Sequence, residues 1–205
     1  DISNRVFALL VNLELAKEQV AILKDPEIEE NILSMEKNIA GVQAQVAFAK
    51  DYQEIGAQIP KWHKVDAVIH EAAEQLNLND TAIEINTGGI EVFADPMIGR
   101  VFYNLIDNAL RHGGRVTRIT FSGNVTGSSL VILCADDGIG IPDTEKQHIF
   151  TKGFGRDSGL GLFLIQEILA ITGITIRECG RYGKGACFEL QVPEGQFRHG
   201  TGTPS

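Results

Sequence analysis

The chain has 205 residues, of which 43% are hydrophobic and 22% charged, and its formal net charge is -9. This composition fits one large or two small globular domains, and no apolar run approaches the roughly 18 residues that a membrane span needs. The acidic balance argues against nucleic acid as a partner, and three cysteines are too few for a disulfide framework, which favours a reducing, cytoplasmic setting.

Residues 1–59 are predicted to form an antiparallel helical hairpin. Asp25 and Pro26 supply a helix cap and a proline at the first helical position. Apolar residues on both sides of this turn follow the 4-3 spacing of a helix-packing seam. The seam comprises Ile2, Val6, Leu9, Leu13, Ala16, Val20 and Leu23, then Ile28, Ile32, Met35, Ile39, Val42, Val46 and Ala49. Because two helices alone bury too little, we expect a homodimer with a four-helix bundle; packing on the rest of the same chain is the alternative.

Residues 60–194 are predicted to form a second, α+β domain, with a mixed, mostly antiparallel sheet covered by helices on one face. Helices are predicted over 65–78, from Asp95-Pro96 to about His112, and over 158–171. Strands are predicted over 81–86, 90–94, 116–122, 129–135, 174–178 and 186–192, the first two as a hairpin turning at Gly88-Gly89. Residues 195–205 are predicted to be a disordered tail.

The helix that ends near His112 carries the first pattern of residues that could form a binding site. Asn104 and Asn108 lie one turn apart, and Arg111 or His112 follows on the same side. Carboxamide oxygens of this kind can bind a hard cation such as Mg²⁺ together with phosphate oxygens. Two solvated asparagines are the plainer explanation when this pattern is taken alone.

Three glycine-rich turns follow. Asp136 ends a strand that runs into Gly138 and Gly140, where an acid could accept a hydrogen bond from an exocyclic amine and the glycines could admit a flat ligand. Residues 154–162 lead into a helix whose free N–H groups favour anions, with Lys152 and Arg156 close by. Residues 183–186 are a weaker signal. An ordinary turn explains the first and last of these equally well or better.

In this order and spacing the patterns resemble the catalytic ATP-binding domain of two-component sensor histidine kinases, within the GHKL superfamily. Residues 104–109 resemble the N box, 136–140 the first glycine box, 149–154 the F box and 158–162 the second glycine box, while 183–188 look like a degenerate third. The resemblance covers about residues 60–193. The preceding hairpin resembles the dimerisation and phosphotransfer domain of the same family.

The resemblance implies ATP and Mg²⁺ as cofactors. Asn108, assisted by Asn104, would hold the metal, and Asp136 would bind the adenine amino group beside Gly138 and Gly140. Residues 144–157 would form a short ATP lid. The other nucleotide contacts would come from Arg111, His112, Lys152, Arg156, Ser158, Gly159, Leu160 and Gly161.

The resemblance also implies a kinase rather than an ATPase. Superfamily members that hydrolyse ATP carry a glutamate one turn before the metal-binding asparagine, whereas this chain has Asn104, which cannot act as a base. The phosphoryl acceptor would be a histidine, expected directly before Asp1 because residues 1–4 resemble the acceptor motif without its histidine. Asp1 would be the general base and Asn4 would orient water for phosphatase action; a helix cap is the plainer role for both.

Further expectations concern partners. The resemblance implies a response regulator receiver domain as the phosphoryl acceptor that docks on the hairpin, and a membrane link only through an upstream sensor. A catalytically silent nucleotide-binding and dimerisation module is the alternative function. An anti-sigma-type serine kinase fits the long hairpin poorly.

Overall fold

The computed structural model describes residues 2–20, 25–155 and 159–200. Two helices come first, α1 (Ile2–Val20) and α2 (Pro26–Glu54). The remaining elements are β1 (Lys61–Lys64), α3 (Val65–Glu74), β2 (Ala82–Asn86), β3 (Ile90–Ala94), α4 (Ile98–His112), β4 (Arg118–Thr126), β5 (Ser129–Asp136), α5 (Gly161–Ala170), β6 (Thr175–Glu178), β7 (Cys187–Val192) and β8 (Phe197–His199). Among the helices so described, none combines the length and apolar character required to cross a membrane.

The two N-terminal helices pack against each other, and α2 begins as predicted. The Asp25 carboxylate accepts a hydrogen bond of 3.0 Å from the Glu27 amide, and Pro26 takes the first helical position. Val6, Leu13 and Ile32 of the predicted seam are buried. Leu9 and Met35 of the same seam are 53% and 55% exposed, so one chain satisfies only part of it.

The C-terminal part of α2 contacts the rest of the chain. The rings of Phe48 and Tyr52 lie 6.2 and 6.3 Å from the ring of Phe163 on α5. The Gly56 amide, just after α2, donates to the buried carboxylate of Asp95 at 3.0 Å, and the other oxygen of Asp95 accepts from the Met97 amide at the start of α4. The C-terminal end of α2 therefore packs on the rest of its own chain. This is the arrangement expected from the sequence as the alternative to a dimer.

A five-stranded sheet in the order β2-β4-β5-β7-β6 forms the centre of the second domain. The β2–β4 pair is parallel and the other neighbours are antiparallel. On β4, Ile119 and Phe121 are fully buried while Thr120 and Ser122 between and beside them are only partly covered, which shows that one face of the sheet packs on the core. The rings of Phe121 and Phe102 on α4 meet edge to face at 5.8 Å. The predicted α+β class and mixed sheet are confirmed.

The predicted hairpin between strands β2 and β3 is wrong. β2 pairs in parallel with β4, whereas β3 pairs with β1 and β8 in a separate three-stranded sheet. Gly88 and Gly89 both have positive φ angles, of 68° and 67°, and they turn the chain from one sheet to the other. A glycine pair signals a turn locally, but the strand partners are decided by distant segments.

Two further predictions are corrected. The tail predicted to be disordered contains β8, whose Arg198 pairs with the buried Glu91 at 2.6 Å and lies 4.1 Å above the Trp62 ring. The third predicted helix begins at Gly161 rather than at residue 158, because Gly159 has a φ of 60°, which a right-handed helix excludes.

Candidate functional site

Asp136 lies at the end of β5, an interior strand between β4 and β7. Its Oδ1 accepts hydrogen bonds from the amides of Gly138, at 2.9 Å, and Ala186, at 3.1 Å. Burial raises the pKa of the Asp136 carboxyl above its ordinary value, and the two amide hydrogen bonds oppose that rise. Because both bonds end on Oδ1, an amine donor of a ligand would approach Oδ2.

Glycines surround Asp136 because backbone segments meet there directly. A Cβ atom on Gly138 would lie 2.4 Å from the Gly113 carbonyl oxygen. One on Gly140, whose φ is 69°, would lie 2.7 Å from the Gly185 oxygen, and one on Gly185 would lie 1.9 Å from the oxygen of Asp136. The glycines are thus required by contacts within the protein, which the sequence, where a ligand contact or an ordinary turn was the expectation, did not indicate.

Helix α4 supplies the two predicted asparagines on its half-buried flank. The Asn104 amide nitrogen donates to the Arg100 carbonyl at 2.8 Å, and its Oδ1 lies 3.0 Å from the position of a Cβ on Gly161, so the start of α5 abuts it. The Asn108 Nδ2 atom is buried without a hydrogen-bond partner among the described residues. A buried amide without a partner is costly, and its N and O ends can exchange by a flip.

These amides fit an oxygen-ligated cation. Across residues 2–20, 25–155 and 159–200, no three His, Cys, Asp or Glu side chains come together as metal ligands do. A metal at this place would therefore depend on amide and phosphate oxygens, which is the ligand set that suits Mg²⁺. The Asn108 carboxamide, whose Nδ2 atom has no partner among the described residues, could supply one such oxygen.

The C-terminal end of α4 is joined to the turn after Asp136. The Ile139 amide donates to the Gly113 carbonyl at 2.9 Å. Arg111, in the last turn of α4, pairs with Asp107 at 2.8 Å, and His112 is the last residue of the helix. Arg111 and His112 therefore lie on the helix end that contacts the glycine turn. The close approach of Gly138 to Gly113 joins segments more than twenty residues apart, so no local pattern in the sequence indicates it.

Lys152, which is predicted to contact the nucleotide, lies against two aromatic rings. Its ammonium is 5.4 Å from the ring centroid of Phe48 and 5.8 Å from that of Phe163, in cation–π contact with α2 and α5. A contact with phosphate would require Lys152 to leave these rings. The cause is the aromatic cluster, which the sequence pattern of the loop could not reveal.

Lys146 anchors the predicted lid at its other end. Its ammonium donates to the Gly180 carbonyl at 2.6 Å and lies 3.2 Å from the carboxylate of Glu178, a side chain with 0% exposure. It also pairs with Asp143 at 2.8 Å. Sequence reasoning missed this lysine, because two of its three partners, Glu178 and Gly180, lie more than thirty residues away along the chain.

The second glycine-rich segment closes on itself. The Gly153 amide donates to the Gly159 carbonyl at 3.0 Å, and a Cβ on Gly159 would lie 2.5 Å from the Phe154 oxygen. Leu160 precedes α5, and its carbonyl accepts the Leu164 amide at 2.9 Å.

Several predicted residues take no part in this arrangement as described. Asp1, Arg156 and Ser158 fall outside the described residues. Asn4 is exposed in the first turn of α1. The cluster that the structure brings together thus consists of the α4 flank, the turn after β5, the start of α5 and the turn before β7.

Asp137 has a different role from its neighbour. Its carboxylate accepts hydrogen bonds from the Thr117 amide at 2.8 Å, the Arg118 amide at 3.1 Å and the Thr117 hydroxyl. These bonds, led by the hydroxyl, lower the pKa of Asp137 to about 2. Asp137 therefore fixes the start of β4, while Asp136 faces the candidate site.

Asp137→Asn should reduce the acid sensitivity of the domain. The folded-state pKa, about 2, lies below the unfolded value of about 3.9, so the carboxylate contributes stability above roughly pH 4 that is lost as pH falls toward 2. Urea unfolding across that window should show a shallower decline for Asp137→Asn than for the unsubstituted chain. Asp80→Asn, an exposed control, should keep the original slope. An unchanged slope for Asp137→Asn would contradict the assignment.

Comparison with known proteins places this arrangement in a family. Residues 94–196, half of the chain, match the family described as histidine kinase-, DNA gyrase B-, and HSP90-like ATPase. The chain is 34% identical over 107 residues to the sensor protein KdpD of Escherichia coli (strain K12), a match that covers 48% of this chain and 12% of KdpD.

Two solved structures share the fold. The histidine kinase AdeS of Acinetobacter baumannii matches with a TM-score of 0.63 and 18% identity, over 93% of this chain and 98% of AdeS. Full-length ShkA, solved in complex with AMPPNP, matches with a TM-score of 0.63 and 19% identity, over 82% of this chain and 39% of ShkA. This chain thus spans well under two thirds of KdpD and of ShkA. With half its length matched and the asparagine helix and Asp136 turn inside the match, the chain belongs to the family of histidine kinase-, DNA gyrase B- and HSP90-like ATPases, and the relatives that it matches include proteins named as sensor histidine kinases.

Proposed function

We propose that this chain is the kinase core of a two-component sensor histidine kinase, which binds Mg-ATP and transfers the γ-phosphoryl group to a histidine. The observation that carries the proposal is the pairing of two features. Asp136 is held in a cradle of glycine backbone, and the neighbouring α4 presents the Asn108 carboxamide, whose buried Nδ2 atom has no partner in the described parts of the chain. The Asp136 cradle suits a nucleobase that carries an amino group, and the Asn108 carboxamide suits a metal ion bound to phosphate.

Each residue of the cluster would have a distinct task. The Asp136 carboxylate would accept a hydrogen bond from the adenine amino group through Oδ2, while its Oδ1 stays bound to two amides. Asn108, with Asn104, would hold Mg²⁺, which would neutralise phosphate charge. The start of α5 would offer backbone N–H groups to the phosphates. Phosphoryl transfer needs little more than such positioning and charge compensation. The reported complex of ShkA with AMPPNP supports a nucleotide as the ligand class.

Transfer is favoured over hydrolysis by the identity of residue 104. An asparagine amide cannot take a proton from water at neutral pH. In the structure the Asn104 nitrogen is also engaged with the Arg100 carbonyl. The site would therefore transfer the phosphoryl group to a nucleophile from another part of the protein. That nucleophile is expected to be a histidine directly before Asp1. Asp1 would act as its general base, and Asn4 would orient water for phosphatase action.

The hairpin would supply the dimer and the docking surface for a response regulator receiver domain. Its described residues leave a series of large apolar side chains exposed, namely Phe7, Leu9, Val11, Leu15, Leu33, Met35 and Val42. Leu9, Met35 and Val42 of this series belong to the predicted seam, and a second copy of the hairpin would cover them in a four-helix bundle. The receiver domain would bind the outer surface of that bundle and take the phosphoryl group.

The proposal is tested by phosphoryl transfer to a histidine placed immediately before Asp1. Incubation of that protein with γ-labelled ATP should give an acid-labile, base-stable label, whereas the same protein with glutamine at the added position should give none. Omission of Mg²⁺ should also prevent labelling. Tight binding of an ATP analogue without label would favour the alternative, a silent nucleotide-binding and dimerisation module.

A further inference from the structure

Two cysteines face each other where β6 and β7 begin to separate. The last register pair of these strands is Glu178 with Phe188, so Cys179 follows opposite Cys187. The Cys179 amide donates to the Cys187 carbonyl at 2.7 Å, and the two sulfur atoms are 3.4 Å apart. Cys179 is exposed and Cys187 is half-buried. The pair is therefore already in sulfur–sulfur contact and open to solvent on one side.

A covalent bond requires only a small further movement. A disulfide has a sulfur–sulfur distance of about 2.05 Å, so closure needs roughly 1.4 Å. Antiparallel neighbours that face each other can provide this through side-chain rotation and a slight approach of the strand ends. Cys179 lies just beyond the end of β6, so its backbone is not held between two neighbouring strands and can shift slightly.

We infer that Cys179 and Cys187 form a reversible disulfide when the protein meets a peroxide, and that this bond weakens ligand binding at the Asp136 site. In the first step the Cys179 sulfur attacks a peroxide oxygen, which gives a sulfenic acid and releases water. The Cys187 sulfur then displaces that hydroxyl group, which leaves as a second water. Two thiols are oxidised by two electrons in total, and one hydrogen peroxide is reduced to two waters. A dithiol reverses the reaction by exchange.

The order of the two steps follows from the surroundings of the sulfurs. Exposure gives a peroxide access to Cys179. Burial, with a contribution from Cys179 itself, raises the pKa of Cys187 to about 12, which makes Cys187 the poorer first nucleophile. Cys134 is fully buried on β5, and burial raises its pKa well above the usual value, so it should stay reduced.

The disulfide between Cys179 and Cys187 would affect the Asp136 site through two hydrogen bonds near it. Cys187 follows Ala186, whose amide donates to Asp136, and the Cys187 amide itself donates to Glu178 at 3.1 Å. Glu178 in turn holds Lys146 of the lid. Drawing Cys179 and Cys187 together strains both bonds. The disulfide depends on this geometry alone, whereas its effect on nucleotide rests on the proposed function.

The test compares the reduced chain with the chain after a pulse of hydrogen peroxide. Free thiols, counted after denaturation, should fall from three to one, with a mass loss of two hydrogens and peptide mapping that joins Cys179 to Cys187. Affinity for a fluorescent ATP analogue should fall about three- to tenfold, as expected for one weakened hydrogen bond, and dithiothreitol should restore it. Cys179→Ser should keep the affinity of the reduced chain before and after peroxide.

Three results separate the possibilities. Three free thiols after the pulse, or a disulfide only between molecules, would overturn the inference. Equal analogue affinity of the reduced and disulfide forms would overturn the coupling to the site. A reduced chain that binds no analogue would count against the proposed function, while the thiol count would still decide whether the disulfide forms.

Discussion

Asn108→Ala should abolish Mg²⁺-dependent nucleotide binding, with a loss of affinity of at least about 100-fold, because loss of a direct ligand should exceed the cost of losing a supporting one. The physical reason is that the Asn108 carboxamide, whose Nδ2 atom has no partner among the described residues, would offer its oxygen to the bound metal. Affinity for an ATP analogue, titrated with Mg²⁺ and with a chelator, measures this. Asn108→Asp should also lose binding, because a carboxylate at this position would repel the negatively charged phosphate groups of the nucleotide.

Folding should be spared by the same substitution. Since Nδ2 of Asn108 makes no hydrogen bond within the described chain, its removal leaves no donor or acceptor of the protein unpaired there. We expect the free energy of unfolding to change by about 1 kcal/mol or less. Asn124→Ala, at an exposed position of β4, is the matched control and should change neither quantity. A variant Asn108→Ala that keeps its Mg²⁺-dependent affinity would refute the metal assignment.

Gly185→Ala should destabilise the second domain by about 3 kcal/mol or more. A methyl group there would lie 1.9 Å from the Asp136 carbonyl oxygen, and the φ of 108° is itself unfavourable for alanine. Both terms act against the folded state, and urea unfolding would measure their sum. Analogue affinity should fall as well, since the collision displaces the backbone of Asp136.

Gly183→Ala separates the two terms. Gly183 belongs to the same turn and has a φ of 82°, but a methyl group on it would meet nothing within 4 Å. Its cost should be that of the backbone conformation alone, about 1 kcal/mol. Equal losses of stability for the two variants would mean that the contact between residue 185 and Asp136 is not the cause.

The sequence predicts best those parts of the site that a local period or a local turn defines. The asparagine pair on α4 could be predicted because the apolar stripe of that helix is buried at Val101, Phe102 and Leu105. The stripe determines which flank of the helix is left to carry polar side chains. Asp136 could be predicted because it ends a strand and precedes glycines. In both cases, neighbours in the chain carry the information.

What the sequence could not predict depends on contacts between distant segments. The pairing of β2 with β4, the pairing of β3 with β8, and the Lys146 contact with Glu178 each join residues far apart in the chain. Lys152 illustrates the same limit. A lysine next to a glycine-rich loop suggests an anion, but the rings of Phe48 and Phe163 compete for it.

The carboxylate of Asp95 joins two parts of the molecule that the chain order separates. One oxygen receives the Gly56 amide just beyond α2, and the other receives the Met97 amide where α4 begins. A rotation of α2 that moves Gly56 must therefore either break this bond or drag the cap of the helix that carries Asn104 and Asn108. The segment after α2 is thus tied through a single carboxylate to the start of the helix that carries the two asparagines, although forty residues of chain lie between them.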